Sequence, residues 1–521
     1  MNKKTMTFMG IVLSTALLSA CSSMNGIDHS SMSGMNQSST KSQAIPAAVT
    51  PVVSKVGNQT IKEFSLVAKS AEQEIKNGVK VPVWTYNGTV PGSQIRVTQG
   101  DRVKVHLKNE LSVPITIHWH GYPVPNSMDG IPGMTQASIK PGQSFTYDFV
   151  ATTPGTYWYH SHYNSAAQVD KGLYGTFIVD PKDETNKPNR DYTLVLDEWM
   201  TDSNMNSHDM SNMNGQMNME NHDMSTMSNM DHDQMMKQMY NVYTVNGKAG
   251  NLIEPLTVKK GEKVRLRFVN AGYLSHTIHL PNQPFQVVAV DGNPLASAPL
   301  IKDQLLRIGP GERYDVEFTA DGATNWIMDS HDDTPYAADI RIPVMYEGNN
   351  TTPKSDLDKN LPIVDITNYG DAANQTFNEQ TKFNKKYTLH LNSKVVNGSQ
   401  EYMINDKIYP NTDPLTVSKG DQVKVTLIND GKSDHPMHLH GHVFQVLSKN
   451  GKPVKDPVWK DTIVVRPGER YDIAFKANNT GNWMFHCHDL HHAAMGMMTE
   501  VEYQGYHSSI KPDPEDMKAS E

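Results

Sequence analysis

Four short motifs gather side chains that can hold metal ions: His118-Trp119-His120-Gly121, His160-Ser161-His162, His435-Pro436-Met437-His438-Leu439-His440, and His486-Cys487-His488 with His492 and Met497 downstream. Alternate residues of a strand face the same side, so each His-X-His pair can present two imidazoles to one pocket. Four such pairs supply eight neutral nitrogen donors. That is the number three copper ions need if two ions take three each and one takes two, leaving open positions for dioxygen.

Cys487 with His435 and His492 adds one thiolate and two imidazoles, and Met497 adds a soft, weak axial donor. This set suits a trigonal electron-transfer copper of the blue type. Because Cys487 stands between His486 and His488, the backbone would link that ion covalently to the oxygen-binding cluster. Cys21 and Cys487 are the only two cysteines. If the first carries lipid, the second has no disulfide partner in the chain, even where disulfides would persist, and a metal explains it.

Placing these donors requires strands, and the chain repeats one strand-forming unit three times. Gln99 to Val105, Lys260 to Leu266 and Lys419 to Val425 each run from a Gly turn into an apolar/polar alternation typical of a half-buried strand. Pro141-Gly142, Pro310-Gly311 and Pro467-Gly468 open a second turn-and-strand signature, and Tyr157 to His162, Asn325 to His331 and Asn482 to His488 form a third. Short strands and frequent Gly and Pro turns, with no long helical apolar pattern, predict an all-β chain of three Greek-key β-sandwiches. Their expected limits are about residues 48 to 182, 190 to 350 and 385 to 505, with a linker over 348 to 359 and a tail over 506 to 521 that frays from Pro512 onward.

In order and internal spacing, the four motifs resemble those of the multicopper oxidases, specifically the three-domain bacterial laccase and cuprous-oxidase branch. The resemblance covers nearly the whole mature chain and implies three consecutive cupredoxin-like domains with four copper ions. It implies His118 and His438 for a type 2 copper, and His120, His160, His162, His440, His486 and His488 for a binuclear type 3 pair. His435, Cys487, His492 and axial Met497 would hold the type 1 copper, with Cys487 as the point of electron entry. Asp129, eleven residues after His118, matches an acidic position that assists proton delivery in related bacterial oxidases. Many of those relatives carry Glu just after the last motif histidine, where this chain has Ala493. The second domain has Ser330 at the position of Cys487, so it cannot hold a blue copper. His276, His279 and His331 read as strand or loop histidines, the second domain as a spacer, and the oxygen cluster as lying between the first and third domains.

The N-terminus reads as an export signal over residues 1 to 20, with Lys3 and Lys4 before an apolar run too short to span a bilayer. Leu18-Ser19-Ala20-Cys21 resembles a bacterial lipobox, which would place a lipid on Cys21 and anchor the enzyme to the membrane outside the cytoplasm. Ordinary secretion with an incidental cysteine is the alternative. Residues 21 to 47, rich in Ser, Met, Asn and Gln, suit a flexible tether. A net charge of -9 without a basic stripe excludes nucleic acid as a natural partner, and a monomer is expected.

From Met200 to Met239, 12 of 40 residues are methionine. Thr201 to Gln238 contains no Val, Ile, Leu, Phe or Ala, so these methionines read as lying outside any ordinary apolar core. Soft thioethers prefer Cu(I). Met210, Met224 and Met235 with His208, His222 and His232 therefore read as a loop that gathers cuprous ions near the type 1 site and shields it from bulky phenols. Oxidation of Cu(I) to Cu(II) in copper tolerance, coupled to reduction of dioxygen to water, is the leading expectation. Laccase-type oxidation of phenols or aromatic amines, and non-catalytic copper buffering, stand beside it.

Overall fold

Each repeated alternating segment becomes a strand with the same neighbours. Arg102–Asn109, Lys263–Asn270 and Gln422–Asn429 pair in parallel with a long preceding strand and antiparallel with the strand that follows the Pro-Gly turn. A computed structural model of the chain describes residues 46–201 and 232–511, except 296–297, 323, 356–359, 370–375, 379 and 398, together with 513, 515 and 516. The result is all-β, built from curled sheets in three pairs that match the cupredoxin-like architecture. In every pair one sheet carries the histidine strands at or next to its edge: His118–His120 on Gly155–His160, His276–His279 on Trp326–Ser330, and His435–Leu439 on Asn482–Cys487.

The alternation works as period-two patterning should. Val103, Val105 and Leu107 are fully buried while Arg102, Lys104 and His106 are partly or fully exposed, so one face of the strand enters the core and the other meets water. An asparagine closes each of these strands in the same way. Asn109 Nδ2 donates to the carbonyls of Val113 and Ile139, Asn270 Nδ2 to Leu274 and Ile308, and Asn429 Nδ2 to Ser433 and Val465, at 2.7–2.9 Å. Each side-chain oxygen accepts from the backbone N–H two residues on. The three asparagines are buried, where unpaired loop carbonyls would be costly. One continuous apolar core joins the second and third sheet pairs and part of the first, and a second core fills the first pair.

Three expectations about the ends and insert need revision or fall outside the described residues. The export signal, Cys21, the tether up to residue 45, Met210, Met224, His208 and His222 lie outside them. The methionine-rich stretch does contribute to the core at its end. It closes in helix α2 (His232–Met239), where Met235 is half-buried, Met236 is buried in the main core, and Met200 and Met239 pack against that core. A helical turn gave Met236 the apolar contacts that composition alone did not reveal. At the start of the C-terminal tail Tyr506 donates to Asn126 Oδ1 at 2.9 Å and Ser508 donates to the Met134 carbonyl, and within the stretch expected to fray from Pro512 buried Asp516 accepts from the Ser138 N–H at 3.0 Å. No helix among the described residues is long and apolar enough to cross a membrane.

Candidate metal centre

The ladder registers set the first layer of geometry. His118 faces His160 across one strand pair and His438 faces His486 across another, so each histidine motif is paired with its sequence-distant partner before any domain contact is made. The two halves then interleave. The His118 ring stacks on His440 with centroids 3.9 Å apart, and His120 stacks on His438 at 3.8 Å. His160 comes within 5.4 Å of His488, and His162 within 5.4 Å of His486. Donor atoms converge in the groups His118/His438/His440, His118/His120/His160, His162/His440/His486 and His120/His438/Asp461. All eight histidines are buried.

Backbone carbonyls aim the rings. His118 Nδ1 lies 2.9 Å from the Asp129 carbonyl, His160 Nδ1 2.9 Å from Ser161 O, His438 Nδ1 3.0 Å from Asp461 O, and His486 Nδ1 2.9 Å from Cys487 O. A carbonyl only accepts, so Nδ1 carries the proton and Nε2 keeps its lone pair for the shared pocket. Burial, reinforced by the neighbouring imidazoles, pushes the pKa values of His120, His160, His440, His486 and His488 well below the ordinary histidine value, and burial also lowers His438. These rings stay neutral, as metal ligands must.

The donor set also passes a test for copper. His118 Nε2, His120 Nδ1, His160 Nε2, His438 Nε2 and both nitrogens of His488 have no hydrogen-bond partner among the described residues. Buried polar atoms are normally satisfied, and several neutral imidazole nitrogens pooled without donors suit a soft-to-borderline metal ion.

A second group lies beside the first. Cys487 Sγ is 3.8 Å from His435 Nδ1 and 3.7 Å from His492 Nδ1, and the two nitrogens are 3.3 Å apart. Met497 is fully buried, and its carbonyl accepts from the Cys487 N–H at 3.0 Å. His492 belongs to helix α3 (Leu490–Ala494). Asp489 caps that helix through the N–H groups of His491 and His492, and its Oδ2 lies 3.3 Å from His492 Nε2. One carboxylate thus starts the helix and turns the ring so that Nδ1 faces the thiol.

Asp129 is fully buried, with Oδ2 3.0 Å from His440 Nδ1 and Oδ1 3.3 Å from His118 Nδ1. It therefore touches a histidine from each end of the chain. A Cβ on the next residue, Gly130 (φ +86°), would lie 1.9 Å from the Ile117 carbonyl, so only glycine allows this approach. Where many relatives would place a Glu, Ala493 packs in an apolar patch with Ile131, Met484 and Met498.

Sequence reading missed Asp461 and Arg313. Asp461 supplies the carbonyl for His438, and its Oδ1 lies 3.5 Å from His120 Nε2. Burial opposes its ionisation, but the charge and hydrogen bonds of Arg313 outweigh that and hold the carboxyl below the usual range. Asp489 was missed as well. A row of buried rings reaches the neighbour of His492: Tyr240, just after α2, stacks on Tyr273 at 5.6 Å, and Tyr273 stacks on His491 at 4.2 Å with the rings 9° from parallel.

Multicopper oxidase family models match residues 68–184, 190–351 and 374–505. The chain is 31% identical over 444 residues to the multicopper oxidase MmcO of Mycobacterium tuberculosis, covering 82% of this chain and 84% of that one. It is 26% identical to the copper resistance protein A homolog of Pseudomonas syringae pv. tomato, over 85% of this chain and 92% of that one. The crystal structure of a multi-copper oxidase from Pseudomonas thermotolerans superposes with a TM-score of 0.65 at 25% identity, covering 86% of this chain and all of that one. With its converging histidines, its buried thiol and these similarities along the chain, the protein belongs to the multicopper oxidases.

Proposed function

We propose that this oxidase acts on Cu(I), converting it to Cu(II) in copper tolerance outside the cytoplasm, and that it carries four resident copper ions. Bound copper would supply one-electron redox chemistry and dioxygen binding. The overall reaction consumes four Cu(I), one dioxygen and four protons, and yields four Cu(II) and two waters. In this reading His435, Cys487, His492 and Met497 hold a type 1 ion, His118 and His438 a type 2 ion, and the remaining six histidines of the cluster a type 3 pair. Cys487 is bonded on both sides to residues of that cluster, so the thiolate is the natural point of electron entry. Asp129 holds or moves a proton beside His440 and His118. Export, a lipid on Cys21 and a monomeric chain complete the proposal.

The observation that carries the choice of substrate is the anchoring of the methionine-rich stretch. Met200 and Met239 pack against the core at its two ends, and the Tyr240–Tyr273–His491 stack joins its far end to the neighbour of His492. Thioethers concentrated there favour cuprous ions over phenols. The test is oxygen uptake by the copper-loaded enzyme with Cu(I) and with a phenol, before and after deleting residues 202–231, which spares Met236 in the core. Cu(I) turnover should fall while phenol turnover holds or rises. The opposite pattern assigns the enzyme to laccase chemistry, and bound copper without oxygen uptake assigns it to buffering.

A further inference from the structure

The second sheet pair repeats the frame that positions the copper histidines. His279 faces Asp329 in one ladder as His438 faces His486 in another and His118 faces His160 in the first. His331 follows Asp329 by two residues, as His488 follows His486 and His162 follows His160. The second domain therefore keeps three of the four donor positions of one half of the constellation, with a carboxylate replacing one imidazole and Pro281 standing where the fourth would be.

Its donor atoms are close together. Asp329 Oδ1 lies 3.4 Å from His331 Nε2 and 3.8 Å from His279 Nδ1, and the two rings meet edge to face with centroids 4.8 Å apart. Two donors each about 2.1 Å from one ion can be at most about 4.2 Å apart, and both spacings fall inside that limit. Asp329 is fully buried, and neither its Oδ1 nor His331 Nε2 has a hydrogen-bond partner among the described residues. The other carboxylate oxygen is held by the Ser355 hydroxyl, which leaves Oδ1 directed at the imidazoles. Arg341 stands opposite Asp329 in the ladder. Ser355 also lines a cavity of about 1370 Å³, so solvent comes within one side chain of the site.

We propose that His279, Asp329 and His331 form an additional site for a divalent transition-metal ion, with Cu(II) its best occupant. Two imidazoles and a carboxylate are borderline-to-hard donors. They hold divalent copper most tightly among the first-row divalent ions and lack the sulfur that selects Cu(I). His279 lies on a strand and His331 in a loop, as the sequence suggests, and the proposal adds a ligand role to both. His276 is different, since its two nitrogens are engaged by Asp332 and Glu198.

The experiment uses the full copper-loaded enzyme, washed with EDTA, dialysed against Cu(II) and freed of unbound metal, alongside Asp329→Asn and His331→Gln. The wild type should hold one copper equivalent more than either variant, with a second two-nitrogen EPR signal, beside that of the type 2 ion on His118 and His438, that both variants lose. Equal copper content in all three proteins overturns the proposal. If a variant fails to fold by circular dichroism, the wild type decides alone. Re-addition of Cu(II) either restores a second two-nitrogen signal beside that of the type 2 ion, with one copper equivalent beyond the four resident ions, as expected, or restores no signal beyond the type 2 one, which overturns the site. A deficit in the type 1 and cluster signals would count against the four-copper reading instead and leave this comparison intact.

Discussion

Arg313 Nη2 lies 2.6 Å from Asp461 Oδ2, and both side chains are completely buried. The pair joins the second domain to the third. It is bidentate, with Nη1 2.7 Å from Oδ1, the geometry that suits a guanidinium fork. Gly121 permits it, because a Cβ there would sit 2.2 Å from Arg313 Nη2. The second domain thus reaches the histidine cluster in part through this cation, which holds the carboxylate standing beside His120 and His438.

Arg313→Met removes that cation and leaves Asp461 buried without its partner, a change that costs about 3–5 kcal/mol. Chemical denaturation should report the loss, and copper retained after dialysis should fall with it. Arg313→Lys keeps the charge without the fork and should lie between. Wild-type stability in Arg313→Met would refute the coupling.

Asp129→Asn preserves shape but removes a group that can take and release a proton. Oxygen turnover at saturating reductant should fall by about 10²-fold, while the blue absorption that reports Cys487 stays unchanged. Unaltered turnover across the pH range would show that protons reach the cluster by another route.

Asp489→Ala frees the His492 ring and uncaps α3. Loss of a partner that orients a metal-bound imidazole lowers metal affinity by about 10–100-fold. The visible band of the copper-loaded variant should weaken or shift, whereas the histidine cluster should load as before. A band identical in position and strength to the wild type would mean that His492 is oriented by its helix alone.

His276 offers a pH test within the second domain. Burial disfavours its charge, but the hydrogen bonds to Asp332 and Glu198 prevail and raise its pKa to about 10. The unfolded ring titrates near 6.5. Below that value both states are protonated and the contribution is fully present. Between about 6.5 and about 10 only the folded state keeps the proton, so stability declines as pH rises, by at most about 1.4 kcal/mol per unit. Urea denaturation from pH 6.5 to 9.5 should show a shallower decline in His276→Gln, and parallel slopes would discard the assignment.

Local spacing was enough to reveal the histidine pairs, the thiolate between His486 and His488, and the three alternating strands. Strand geometry repeats every two residues, so a His-X-His written in sequence is already a pair of donors in space. Chain order likewise showed that the second unit lacks the cysteine. The partners of these donors were not legible. Arg313 meets Asp461 across 148 residues, and Asp129 meets His440 across 311. A lone charged residue has no period, and only the folded interface decides which charge it meets. Asn109, Asn270 and Asn429 do repeat, yet their role depends on loop carbonyls brought close by sheet curvature. Met236 reads as part of a polar, low-complexity run until a helical turn sets it in the core. Periodicity along the chain therefore specified the donors, whereas the charges around them arose from packing between domains, where distance in sequence carries no information.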